Sequence, residues 1–197
     1  CYRGYVENLS KYNIDLSIIN NPNNYYLFHT PYCKLVKKAI AYLKYLSNFP
    51  NNTFNTYNKI IEKKYIKKSE NIFDNTQKSL LLSAELGNTY TASLWMCLAS
   101  LLSSEVNLLN KKITMFSYGS GSISTMFSLK VINTTQNIKT NLEIKKRLQE
   151  RIKCSPSYYY SIKNDNEINY NKFHLNLSNN FRSLNENDYY LSKIEYG

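Results

Sequence analysis

His29 and His174 are the only histidines in the chain, and the first of them stands where chemistry is easily done. It closes the short apolar and aromatic run YYLFH, Tyr25 to His29, and directly precedes a segment of helical periodicity. In α/β folds the carboxyl edge of a strand is where loops lift polar groups above a rigid sheet and where ligands bind. An imidazole there can bind a carbonyl or move a proton. A lone histidine is nevertheless more often structural than catalytic, so the case rests on what accompanies it.

Three further features accompany it. Lys34 and Lys38 lie one helical turn apart on one face, where two ammonium groups can meet a single polyphosphate. Lys37, Lys44 and many other lysines make a solvated basic face the commoner account of that spacing. Asn88 follows Gly87 in GNTY and would either cap the next helix or bond a substrate carbonyl. Ser120 lies between Gly119 and Gly121 in SYGSG, with a hydroxyl and an amide suited to a carboxylate or thioester oxygen. Glycine is scarce, with 5 in all, yet three of them fall in these two motifs, where glycine permits close backbone approach or a positive φ. Ordinary turn chemistry explains each motif separately; together with His29 they predict that His29, Asn88 and Ser120 converge on one pocket.

The elements that must position these residues follow from periodicity. The turn-rich stretch Asn20 to Asn24 precedes the strand Tyr25 to His29, and a helix is expected from Pro31 to about Ser47, carried by Leu35, Val36, Ala39, Ile40, Leu43 and Leu46. Residues Asn55 to Leu86 read as two helices, the first Lys-rich and exposed, the second burying Leu80, Leu81, Leu82, Ala84 and Leu86 before Gly87 stops it. Ala92 to Ser103 is apolar all round and predicts a helix buried on most sides. Lys112 to Ser117 and Ser124 to Val131 are strands of an antiparallel hairpin, and all three strands are expected in one sheet. NLEIKKRLQERIK, Asn141 to Lys153, reads as one amphipathic helix, with Ser155 and Pro156 opening another. The polar tail, about 160 to 187, is expected to be poorly ordered, and YYLSKI near the end to be a strand. The fold class is α/β, a mixed sheet covered by helices.

Composition bounds the classes. The 25 Lys and Arg against 14 Asp and Glu give a net charge of +11, an attraction for polyanions that coenzyme, nucleic acid and membrane share. A nucleic-acid module would interleave aromatic residues with Arg on an exposed sheet face, whereas the cations here are mostly Lys on helices, so no nucleic-acid partner is expected. No run of about 18 apolar residues occurs, so no membrane span is expected. Cys1, Cys33, Cys97 and Cys154 form no CxxC pair and imply neither a disulfide framework nor a metal site. A reducing, cytoplasmic setting fits them.

Three motifs carry a resemblance. FHTPYCKLVKKA, Phe28 to Ala39, is similar to the histidine motif of 3-hydroxy-3-methylglutaryl-CoA synthases. GNTYTASLWMCLASLL, Gly87 to Leu102, resembles their asparagine motif, and FSYGSGSISTMFSLKV, Phe116 to Val131, their serine-glycine loop, in the family's order. The resemblance implies the C-terminal half of a thiolase-like fold, spanning residues 1–197 as one domain. It implies that His29 binds acetoacetyl-CoA and polarises its ketone, that Lys34 and Lys38 hold the coenzyme A phosphate and pantetheine, and that Asn88 and Ser120 contact acyl and carboxylate oxygens.

In that family a cysteine is acetylated by acetyl-CoA, the acetyl methyl attacks the ketone of acetoacetyl-CoA, and water frees the product. The thioester acidifies the methyl, and covalent attachment makes the condensation intramolecular. The nucleophilic cysteine and the glutamate acid–base belong to the family's N-terminal half, and none of the four cysteines here has the matching context. The chain, which opens on Cys1 rather than Met, is therefore expected to need that N-terminal half; the resemblance further implies a homodimer that uses coenzyme A thioesters without a cofactor. A thiolase or ketoacyl synthase half would bring a GHP histidine context and a late CxG loop, and neither is present.

Overall fold

The computed structural model describes residues 4, 5, 7, 21, 24–49, 58–119 and 123–170, with the backbone alone at 162 and 165–170. The chain divides into two units, Cys1–Leu148 and Gln149–Gly197.

In the first unit a three-stranded sheet has the order β1 (Asn24–Phe28), β2 (Lys112–Tyr118), β3 (Ser124–Lys130). β1 runs parallel to β2, pairing Leu27 with Met115 and Phe28 with Phe116; β3 returns antiparallel, pairing Met115 with Phe127. All five residues of β1 are buried, so this strand is covered on both faces and has no need of alternating polarity. All three expected strands thus share one sheet, and the sheet is mixed.

Helix α1 (Cys33–Asn48) buries Val36, Ile40, Ala41, Leu43 and Tyr45. It starts two residues later than expected: Pro31 stands outside it, and Tyr32 is the N-cap in extended conformation. The segment expected to hold two helices holds three, α2 (Lys59–Lys68), α3 (Glu70–Gln77) and α4 (Leu81–Leu86). The break falls at Ser69, whose hydroxyl donates back to the Tyr65 carbonyl at 2.8 Å and so competes with the helical pattern. Asn58 caps α2, its side-chain oxygen accepting from the amides of Ile60 and Ile61. Of the apolar residues expected inside the α4 region, Leu80 and Leu82 are buried while Ala84 and Leu86 face solvent.

A single turn of tight helix, Tyr90–Ala92, leads into α5 (Ser93–Leu102). Leu94, Cys97 and Leu101 enter the core and Leu98 and Leu102 pack partly buried against it; Trp95, 58% exposed, is the one exposed residue of α5, so the helix is buried on most sides as expected. Helices α1, α3 and α5 all pack on β1. The core they enclose centres on Tyr26, Leu27, Val36, Ile40, Leu101, Leu108, Ile113 and Met115. Burying each large side chain of this kind contributes about 1.5–3 kcal/mol.

The expected helix Asn141 to Lys153 is interrupted. α6 (Gln136–Leu142) ends at Glu143, which takes the left-handed conformation with φ 44°, and α7 (Ile144–Gln149) restarts beyond it, leaving 151–155 non-helical. In the second unit, α8 (Pro156–Tyr170) begins as expected, its Tyr158 amide donating to the Ser155 hydroxyl at 3.2 Å. It extends to Tyr170; residues 171–197, which hold most of the tail expected to be poorly ordered and the expected strand YYLSKI, lie outside the described residues. Among the described residues no helix is long and apolar enough to cross a membrane.

Candidate functional site

β1 delivers His29 to the carboxyl edge of the sheet. The His29 backbone N–H donates to the Phe116 carbonyl at 2.9 Å, which continues the parallel ladder one step past the strand. That bond sets the half-buried imidazole against the end of β2, where the Tyr118 ring meets it edge-on at 5.2 Å between centroids. Phe28 and Phe116 meet edge-on at 6.1 Å beneath, so the imidazole stands at the head of an aromatic column. Phe28, His29, Leu35, Val36, Ala39, Phe116 and Tyr118 enclose an apolar cleft of about 30 Å³. That is room for a water molecule, against the hundreds of cubic ångströms that a bound ligand fills.

Behind the imidazole lies a buried polar network. The Thr30 N–H donates to the Ser93 hydroxyl at 2.8 Å, and the Thr30 hydroxyl donates to the Phe28 carbonyl at 2.6 Å. The Cys97 thiol lies 3.4 Å from the Thr30 hydroxyl, 3.5 Å from the Ser83 hydroxyl and 3.5 Å from the Phe28 carbonyl. Burial pushes the Cys97 thiol up from its ordinary value, against the hydrogen bonds from Thr30 and Ser83, which pull it down. It is a neutral, packed group and not a thiolate nucleophile. Cys33, the first residue of α1, is half-buried and packs on the core.

Asn88 lies on the loop that ends α4. Gly87, with φ 77° and ψ −153°, takes a conformation open only to glycine, and the Asn88 side-chain oxygen accepts from the Tyr90 N–H at 2.9 Å. Asn88 therefore closes a local turn just ahead of the Tyr90–Ala92 helix, whose N-cap is Thr89, and its amide group lies on the exposed surface. The cleft around His29 does not include it. Ser120 lies outside the described residues, and the strand leading to it, β2, is what brings Tyr118 to His29.

The two lysines are not equivalent. Lys38 pairs with Glu62 of α2 at 3.2 Å. Lys37, between them, lies over the Phe73 ring at 5.3 Å. Lys34 is exposed and, among the described residues, makes no ion pair. Among the described residues no group of three or more His, Cys, Asp or Glu comes together as a metal site would require.

A larger cleft, of about 350 Å³, lies between residues 104–109 and 134–139. Its carboxylate, Glu105, is bonded to Lys139 and lies 3.5 Å from Lys145, and the hydrogen bond and charge of Lys139 hold the pKa of this carboxyl below the usual carboxylate range. A cleft whose charges already answer one another has little left for a substrate.

The positions missed by sequence reading are Tyr118, Thr30 and Ser93. Tyr118 alternates with Phe116 on one face of β2, and that signal was present; what no local pattern contains is the parallel register that sets it against His29.

A family model described as hydroxymethylglutaryl-coenzyme A synthase C terminal matches residues 51–196. The chain belongs to the hydroxymethylglutaryl-CoA synthase family. The mitochondrial hydroxymethylglutaryl-CoA synthase of Bos taurus is 32% identical over 228 residues, covering 99% of this chain and 45% of the relative. Hydroxymethylglutaryl-CoA synthase 2 of Blattella germanica is 40% identical over 171 residues, covering 75% and 38%. A solved structure described as MvaS in complex with 3-hydroxy-3-methylglutaryl coenzyme A superposes with a TM-score of 0.69 at 25% identity, over 83% of this chain and 40% of that one. The mixed sheet with its helices is thus the thiolase-like fold of the hydroxymethylglutaryl-CoA synthases. The chain spans less than half the length of these relatives.

Proposed function

We propose that this chain supplies the C-terminal half of a hydroxymethylglutaryl-CoA synthase, which condenses acetyl-CoA with acetoacetyl-CoA for isoprenoid precursor synthesis. The observation that carries the reading is the placement of His29: an imidazole at the carboxyl edge of the sheet, fixed by the Phe116 carbonyl and flanked by Tyr118 over an apolar cleft. In this reading His29 binds the ketone of acetoacetyl-CoA, Lys34 and Lys38 hold the coenzyme's phosphates, and Asn88 and Ser120 take acyl and carboxylate oxygens. The reaction uses coenzyme A thioesters and no cofactor.

The size of the cleft supports a shared site. At about 30 Å³ it holds no acyl chain, so the substrate cavity is completed by an N-terminal half bearing the cysteine nucleophile and the glutamate acid–base. The working protein is a homodimer in the cytosol, a reducing compartment that suits the free thiols of Cys33, Cys97 and Cys154.

Incubation of the purified chain with radiolabelled acetyl-CoA, followed by acetoacetyl-CoA, tests this. The expected result is weak binding of acetoacetyl-CoA that is lost in His29→Ala, with no acetyl adduct and no release of free CoA. Stable acetylation of Cys33, Cys97 or Cys154 followed by condensation would show that the nucleophile lies within this chain.

A further inference from the structure

Ser93 is the first residue of α5 and is 1% exposed, yet its hydroxyl does nothing for its own helix. A serine at a helix start ordinarily accepts from the amides of the first turn. Here Ala92 holds the N-cap position and provides no side-chain bond, while the Ser93 oxygen accepts the Thr30 N–H at 2.8 Å across 63 positions of sequence. Thr30 is fully buried, so this amide has no water to turn to. Two successive amides are thereby held from opposite sides: His29 by the Phe116 carbonyl of β2, Thr30 by Ser93 of α5. Together they leave the turn between β1 and α1 little freedom, and the direction of the imidazole follows from that turn. Ser93 also lies five residues after Asn88, on the same stretch of chain.

We propose that Ser93 is a positioning residue: its hydroxyl fixes the turn that carries His29 and ties the histidine motif to the asparagine motif. The value of this for substrate binding rests on the reading of His29 given above, but the coupling of Ser93 to His29 does not.

A matched control exists within the same helix. Ser100 is also 1% exposed, and its hydroxyl likewise accepts a backbone amide, that of Leu82, at 3.1 Å, with no bond to the His29 turn. The experiment compares Ser93→Ala, Ser93→Thr and Ser100→Ala in the 197-residue chain by histidine-detected NMR, with His174 as the second signal. The Tyr118 ring shifts the His29 ring protons, so their resonances report the 5.2 Å contact. In Ser93→Ala these resonances are expected to move toward their unstructured positions; in Ser93→Thr, which keeps the hydroxyl, and in Ser100→Ala they stay. Unmoved His29 resonances in Ser93→Ala, or equal movement in Ser100→Ala, would overturn the proposal. Should Ser93→Ala not fold, Ser93→Cys, a weak acceptor of similar shape, takes its place with the same expectations.

Acetoacetyl-CoA binding provides the second arm. Its Kd is expected to rise about threefold or more in Ser93→Ala relative to Ser100→Ala at matched stability. A wild-type chain that binds no acetoacetyl-CoA would count against the proposed function alone, since the NMR result stands without it.

Discussion

The Lys38 ammonium lies 3.2 Å from a carboxylate oxygen of Glu62, a bond that ties α1 to α2 and engages one of the two lysines proposed for the coenzyme's phosphates. With the two side chains 39% and 25% exposed, the pair is screened and worth at most about 1 kcal/mol. A phosphate must displace Glu62 or share Lys38 with it.

Glu62→Gln removes the competitor. Coenzyme A is expected to bind the chain up to about fivefold more tightly in low salt, with the gain fading at high salt. Isothermal titration of the two proteins checks it; unchanged affinity would remove Lys38 from the phosphate site.

Gly87 has no heavy atom within 4 Å of the place a Cβ would occupy, so substitution there meets no clash. Its φ of 77° with ψ −153° is the obstacle. Gly87→Ala is expected to lose about 1–3 kcal/mol of stability, read as a lower denaturation midpoint at unchanged m-value.

Glu143 is the opposite case, a side chain in the left-handed region where glycine would sit without cost. Glu143→Gly forfeits the exposed bond to Lys146 but relieves the backbone, and a net gain of about 0.5 kcal/mol is expected in thermal unfolding.

Cys97 reports its burial in two ways. With Cys1 replaced by serine, an aromatic disulfide reagent is expected to modify Cys154 first, Cys33 next, and Cys97 only as fast as the chain opens. The thiol pKa is raised by folding, so above the unfolded value, about 8.5, the unfolded chain has released a proton that the native chain keeps. Stability then falls as pH rises through that range, and the fall is expected to be shallower in Cys97→Ala than in the parent.

Local signals were enough for the strands and for α1, because β1, β2 and β3 are short β-rich runs between turn residues and α1 repeats its apolar residues at helical spacing. They failed where a polar residue did the work usually left to glycine or proline: Ser69 breaks a helix through its own hydroxyl, and Glu143 does so through an unfavoured φ. The placement of His29 at the sheet edge was legible from its position after a strand. The neighbours that fix it were not, since Phe116, Tyr118 and Ser93 reach it through a parallel register and a hydrogen bond between distant segments. The engagement of Lys38 by a glutamate 24 positions away was hidden for the same reason.

The parallel pairing of β1 with β2 also bears on the order of events in folding. The β2–β3 hairpin closes a short loop, which takes microseconds, whereas Leu27 finds Met115 only by closing 88 positions of chain. Such closures dominate folding time in sheets of this kind. The imidazole accordingly reaches Tyr118 only at the slow step, and a nascent or partly unfolded chain with its hairpin formed still has no site to offer.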